Sequence, residues 1–149
     1  TEDQGWVAHF LIRSLSRKPI TIFGDGRQVR DILHVADAVE AYVRAYRNIE
    51  RCRGQAFNLG GGPCNAVSLL DVIGEIATIT GTKPVVRHAP ARPSDQRFYI
   101  SDTRKIAAAF DLPAPRPWRN GLAHLANWID SDARDLLRSI RNEPAGVNA

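Results

Sequence analysis

Along residues 5–17 the apolar positions Trp6, Val7, Phe10, Leu11 and Leu15 recur at intervals of three and four. That period puts them on one face of a helix, which Pro19 ends. Ile20-Thr-Ile-Phe23 is β-branched and aromatic, the composition of a short strand, and Gly24-Asp25-Gly26 behind it is a turn. A second extended piece is expected over residues 29–35. A helix should follow over residues 36–49, with Ala38, Val39, Tyr42, Val43 and Tyr46 on one face and Gly54 as its breaker. Ala56-Phe-Asn-Leu59 reads as a strand running into Gly60-Gly-Gly-Pro63.

Ser68 with Asp71 three residues on is a helix N-cap with an acid in the first turn. It predicts a helix over residues 69–80, stopped by Gly81. Val85-Val86 is a brief strand, residues 89–96 form a Pro-rich loop, and residues 98–100 are extended. Asp102 or Thr103 caps a short helix ending near Phe110, and residues 112–117 form a Pro-rich linker. A last helix starts near Trp118 and carries Leu122, Leu125, Ala126, Ile129 and Leu136. Strands and helices alternate, so the class is mixed α/β. The strands are few and short, as in a sheet completed by something else. With 149 residues the chain supports one domain, expected over residues 1–142, with residues 143–149 a disordered tail.

Charge changes this picture little. Twenty Lys plus Arg face sixteen Asp plus Glu, but the positive residues are scattered rather than gathered in a stripe with aromatics. A nucleic-acid groove is therefore not expected. Apart from Lys18, Lys83 and Lys105 the cations are arginines, whose planar fork suits phosphate. Two cysteines make no disulfide framework, no basic-then-apolar stretch opens the chain, and no apolar run approaches the ~20 residues of a membrane helix. A cytoplasmic location is the resulting expectation. Methionine is absent, so Thr1 is expected to be a processed or cut end.

Much catalytic chemistry has no foothold here. Neither Gly24-Asp-Gly26 nor Gly60-Gly-Gly62 carries the glycine spacing that brings a dinucleotide pyrophosphate to a helix start. No tyrosine is followed four residues later by lysine, and His9, His34, His88 and His124 have no metal-type spacing. No catalytic residue and no metal site is assigned.

The informative stretch is Gly24-Asp-Gly-Arg-Gln28-Val-Arg30-Asp31-Ile-Leu-His34-Val35. A strand and a glycine turn present Arg30, either as half of an Arg–Asp surface pair or as a fork aimed at phosphate. The stretch resembles the carboxy-terminal half of extended short-chain dehydrogenase/reductases that act on nucleotide sugars. The shared pieces are Gly24, Asp25, Gly26, Gln28, Arg30, Asp31, Val35 and Asp37, the last capping the next helix. Phe57-Asn58-Leu59-Gly60-Gly61 resembles the family's strand and turn before a Ser-capped helix. Arg92-Pro-Ser-Asp95-Gln-Arg97 is similar to its loop closing over the nucleotide. The resemblance reaches about Ile129. Within the family, Thr1–Phe10, Gln28–His34, Asn65–Leu70 and Ser94–Arg97 are similar to CDP-tyvelose (CDP-paratose) 2-epimerases.

The resemblance implies a carboxy-terminal substrate-binding region of an extended Rossmann-type enzyme, lacking the dinucleotide-binding half. In the complete enzyme NAD would oxidise carbon 2 of a CDP-sugar transiently and return the hydride to the other face, converting CDP-paratose to CDP-tyvelose. This chain alone would be inactive and would hold no cofactor, its NAD-binding half being supplied in cis or in trans. The same resemblance assigns Arg30 and Arg92 to the diphosphate and Asp95 to ribose hydroxyls, with Gln28 and Asn58 near polar groups of the ligand. An Asn beside a glycine turn is as often structural. Asp31 is expected to orient backbone or an arginine, Trp6 to anchor the core, and His34 to have no catalytic role. Two other readings stand beside this one: a stand-alone or split nucleotide-sugar-binding module without redox activity, and a 4-epimerase or 4,6-dehydratase of the same family. Without a larger sheet, faces carrying Trp6, Phe10, Val39 and Val43 would be uncovered, so self-association is expected.

Overall fold

The computed structural model describes residues 5–131; the expectations for Leu136, for residues 1–4 and for the 143–149 tail lie outside them. Helix α1 (Trp6–Leu15) leads into strand β1 (Ile20–Phe23), then β2 (Val29–Asp31) and helices α2 (Val35–Arg47) and α3 (Ile49–Cys52). A single 3-10 turn over Pro63–Asn65 precedes β3 (Ala66–Ser68) and α4 (Leu69–Thr80). Strands β4 (Val86–Ala89) and β5 (Phe98–Tyr99) and helices α5 (Arg104–Phe110) and α6 (Trp118–Ser131) complete the order.

Two small sheets result. β1 and β4 pair in parallel, Ile20 opposite Val86 through Phe23 opposite Ala89. β2 is the middle strand of the other sheet, antiparallel to β3 and parallel to β5, so Arg30 stands between Val67 and Tyr99. The main core sits under α1, α4 and α6. There Leu11, Ile20, Ile22, Val72, Ile76 and Ile129 are almost wholly removed from water. A second cluster joins α2 and α5 through Ala41, Ile106 and Phe110, with Phe57 and Leu59 packed on it.

α4 follows its sequence signature to both ends. The Ser68 hydroxyl accepts from Asp71 N at 3.1 Å, Asp71 Oδ2 accepts from Ser68 N at 3.0 Å, and Gly81 leaves the helix at φ +64°. The reciprocal bonds satisfy backbone donors that the first turn cannot.

Other elements depart from expectation. The second extended piece stops at Asp31, because Val35 is already helical. His34 rather than Asp37 caps α2, its Nδ1 accepting from Ala36 N at 3.1 Å. Asp37 is occupied elsewhere, accepting from the Arg116 backbone N at 2.8 Å and pairing with the Arg116 guanidinium. The helix expected to reach residue 49 breaks at Asn48 and resumes as α3. Residues 56–59 form no strand: neither sheet offers an edge beside them, and no backbone hydrogen bond to a described residue holds Phe57, Asn58 or Leu59. Conversely β3, unanticipated, forms immediately before the Ser68 cap because β2 supplies its partner.

The apolar stripe of α2 faces outward. Ala41 is buried, while Val39, Tyr42 and Tyr46 are 55%, 72% and 78% exposed. Phe10, expected to be uncovered, is buried in the main core, and Trp6 meets it edge-on at 5.5 Å between centroids.

Candidate functional site

β1 and β4 are parallel neighbours, so both deliver their chain to the same end of the small sheet. Beyond carboxyl ends of parallel strands is where an α/β sheet leaves a crevice. Phe23 closes β1 there, and the loop over residues 90–97 leaves β4 there. Gly24 and Gly26, at φ +89° and +76°, turn the chain back toward β2. A Cβ on Gly26 would meet Leu70 Cδ2 at 2.9 Å and Ile22 Cδ1 at 3.3 Å, so the turn requires glycine for space as well as for backbone angle.

The turn sets Gln28 and Arg30, two residues apart, toward the 90–97 loop. Arg30 Nη2 pairs with Asp95 Oδ1 at 2.7 Å, and Gln28 Nε2 donates to Asp95 Oδ2 at 3.2 Å and to the Phe23 carbonyl at 2.5 Å. The Arg92 guanidinium lies 4.0 Å over the centre of the Phe23 ring, a stacked cation. Asp95 N donates to Arg92 O at 3.2 Å across a tight bend, and Ser94 within it takes φ +65°. Four of the five residues assigned from sequence, Gln28, Arg30, Arg92 and Asp95, therefore converge on one place. Asn58 does not join them: it is exposed between Phe57 and Leu59, which pack on the second cluster.

The cavity enclosed by Gln28, Arg92, Asp95, Phe23, Thr21 and the α1 residues Trp6, His9 and Phe10 measures about 90 Å³. A site for a whole nucleotide-sized ligand runs to roughly 300 Å³ or more. A whole nucleotide-sized ligand is therefore larger than this cavity. In the glycine turn, Asp25 Oδ1 accepts from Arg27 N at 3.0 Å, which with the nearby Arg97 guanidinium holds the Asp25 carboxyl below its ordinary pKa.

Asp31 points away from this group, as strand alternation dictates. Its Oδ2 accepts from Gly62 N at 3.0 Å and Ser101 N at 3.2 Å, tying β2 to the glycine turn and to the segment after β5. Orientation of backbone was its expected role. The glycine turn is held tightly enough that a Cβ on Gly61 would collide with the Ile32 carbonyl. His34 serves the α2 cap and meets His124 edge-on at 5.8 Å. Trp6 both packs on the core and lines the cavity.

Two residues with clear roles were not legible. Phe23, read only as the end of a strand, is the floor on which Arg92 stacks; an aromatic at a strand end before a glycine turn is the signal it offered. Asn65, 1% exposed, donates from Nδ2 to Arg116 O at 2.9 Å and accepts at Oδ1 from Trp118 N at 2.9 Å, fixing the start of α6.

A larger concavity, about 670 Å³ and mostly apolar, opens between α1, the start of α2 and α6, with Val35, Leu125 and Trp128 among its walls. It adjoins the outward stripe of α2 through Val35. Among the described residues no cluster of three His, Cys, Asp or Glu could hold a metal ion, and no helix is long and apolar enough to cross a membrane.

Residues 1–60 match the NAD dependent epimerase/dehydratase family. The chain is 35% identical over 136 residues to CDP-paratose 2-epimerase of Salmonella typhi, a match covering 88% of this chain and 40% of that protein. The chain belongs to the NAD-dependent epimerase/dehydratase family. UDP-glucose 4-epimerase 2 of Arabidopsis thaliana is 28% identical over 145 residues, 91% of this chain and 38% of that one. Among solved structures, MoeE5 in complex with UDP-glucose and NAD superimposes with a TM-score of 0.79 at 31% identity, over 89% of this chain and 43% of its own. UDP-glucuronic acid 4-epimerase from Bacillus cereus, in complex with UDP-glucuronic acid and NAD, gives 0.76 at 27% identity, over 83% and 39%. The chain thus spans about 40% of the length of the epimerase-family relatives it matches. Its mixed α/β fold is that of part of a Rossmann-type epimerase.

Proposed function

We propose that this chain is the nucleotide-sugar-binding part of an NAD-dependent epimerase acting on carbon 2 of a CDP-sugar. The observation that carries the reading is the convergence of Gln28, Arg30, Arg92 and Asp95 beyond the β1–β4 strand ends. Two guanidinium forks suit a diphosphate, and a carboxylate beside them suits ribose hydroxyls. Arg30 already pairs with Asp95, and Arg92 is held over Phe23 by the same loop. Similarity to CDP-paratose 2-epimerase favours the CDP-sugar and the carbon-2 inversion over carbon-4 chemistry.

This chain's own residues do not fit NAD. Neither glycine turn opens a helix with dinucleotide spacing, and no Tyr-x-x-x-Lys pair is present. The redox residues are proposed to come from an NAD-binding part in cis or in trans. Two features support such a complement: the outward apolar stripe of α2 beside the 670 Å³ concavity, and the strand-like residues 56–59 that find no sheet edge here. A surface of that kind marks an interface.

The test is calorimetric titration of a CDP-sugar into the protein and its Arg30→Ala variant. Arg30 is three-quarters buried at its side chain, so its loss is expected to weaken binding by roughly 2–5 kcal/mol. Equal affinity for both proteins rules out the diphosphate assignment.

A further inference from the structure

The cap of α2 is an imidazole, where Asn, Asp, Ser and Thr are the usual choices. His34 Nδ1 accepts from Ala36 N at 3.1 Å. A backbone N–H can only donate, so Nδ1 must hold a lone pair, and the neutral ring carries its proton on Nε2. The same ring is wedged against α6. A Cβ on Gly121 would come within 3.0 Å of His34 Cδ2, and the His124 ring stands edge-on at 5.8 Å. Glycine is a poor residue for a helix interior, and what it supplies here is room for the imidazole. One half-buried side chain thus joins the start of α2 to the face of α6, and it lines the 670 Å³ concavity together with the exposed His124.

We propose that His34 is a pH-sensitive latch between α2 and α6. Imidazole changes its charge between pH 5 and 8. A solvent proton on Nδ1 turns both ring nitrogens into donors, so the Ala36 N–H loses its acceptor. The new positive charge then stands at the N-terminal end of α2, where the helix dipole disfavours it. Nearby charges offer little relief. Asp37, in the first turn of α2, is engaged by the Arg116 backbone N–H and guanidinium from the segment before α6. Glu40, a turn further along, pairs with Arg44. From α6 the group that meets the ring is His124, a second base that can itself become a cation. The start of α1 contributes Gly5, Val7 and Ala8 to the concavity, and the end of β2 leads into Ile32 and Leu33, none of them titratable. Because Val35 opens α2 and forms part of the concavity wall, the shape of that apolar face depends on the latch. Acid weakens the seat of α2 on α6, and the fold is more stable above the imidazole range than below it.

The experiment compares urea unfolding at about pH 7.5 and about pH 5.5, on either side of imidazole titration, for the unaltered protein and for His34→Asn, whose amide caps a helix and does not titrate. Loss of a cap lowers the folding equilibrium constant about fivefold. On acidification the midpoint of the unaltered protein should therefore fall by about 0.5 M more than that of His34→Asn. His124→Gln should keep that excess. Equal responses of the unaltered protein and His34→Asn overturn the proposal, and an excess that vanishes in His124→Gln overturns the assignment to His34. A second measurement needs no variant: long-range proton–nitrogen correlation spectra of the imidazoles, with the Ala36 amide followed in parallel. The expected result at neutral pH is the Nε2–H tautomer of His34, and an Ala36 amide that shifts and loses exchange protection as that ring takes up its proton. An Nδ1–H tautomer at neutral pH, or an Ala36 amide unmoved while His34 protonates, overturns the latch.

Discussion

Asn65 ties its own turn to the segment that opens α6, more than fifty residues on in sequence, and its truncation to alanine should be felt across the fold. Its side chain makes two buried hydrogen bonds, to Arg116 O and from Trp118 N, each at 2.9 Å. Trp118 opens α6, where a helix has no intrahelical acceptor for its first N–H groups, so Asn65 Oδ1 acts as a cap supplied from a distant loop. In Asn65→Ala the Trp118 N–H stays buried without a partner, costing about 1–3 kcal/mol. The Arg116 carbonyl lies on an exposed residue, can turn to water, and loses only about 1 kcal/mol. Together with the small cavity left behind, the expected loss is about 3–4 kcal/mol. Urea unfolding followed by far-ultraviolet circular dichroism reads it directly. With a slope of about 2 kcal/mol per molar, the midpoint should fall by roughly 1.5–2 M at unchanged slope. A loss under about 1 kcal/mol would refute the reasoning, since the α6 start would then be held by something other than these two bonds.

Two further outcomes follow from the geometry. The Ser68 side-chain hydrogen bond, foremost, holds the Asp71 carboxyl below its ordinary pKa in the fold. A depressed folded pKa means stability that is present above the unfolded value of about 4 and is lost as pH falls through the folded one. Asp71→Asn should therefore be less stable than the unaltered protein at pH 7, and the gap should close in acid; a gap unchanged at pH 2 contradicts the capping box. The outward stripe of α2 should drive self-association of this chain, which light scattering at high concentration will read as a dimer or larger species. Val39→Glu combined with Tyr46→Lys should return it to monomer, and an unaltered protein that is monomeric throughout counts against the stripe as an interface.

What the sequence disclosed follows the range of the interactions involved. α4 was legible to the residue because its cap, its acid and its terminal glycine are local and self-sufficient. β1 was legible because β-branched residues bounded by Pro19 and Gly24 leave little else. The start of α2 was misread because the Asp37 carboxylate, a plausible cap, is claimed by Arg116, 79 residues on. Residues 56–59 have the composition of a strand, but a strand exists only where an edge accepts it, and no such edge meets them among the described residues. The stripe on α2 was visible as a face, but periodicity cannot say whether a face turns inward. At the site, Gln28, Arg30, Arg92 and Asp95 were each named beforehand. The joining of Gln28 and Arg30 to Asp95 spans 65 residues or more and depended on parallel pairing of β1 with β4, which local pattern does not encode.

The account stands on the nucleotide sugar lying beyond the β1–β4 strand ends, against Gln28, Arg30, Arg92 and Asp95. Mapping backbone amide shifts by NMR as a CDP-sugar is added tests that placement most directly. The predicted result is a saturable set of shifts over residues 21–30 and 91–97, the glycine turn at Gly24–Gly26 included. Shifts gathered instead at Val35, Gly121 and Leu125 would move the ligand to the apolar concavity and contradict the site.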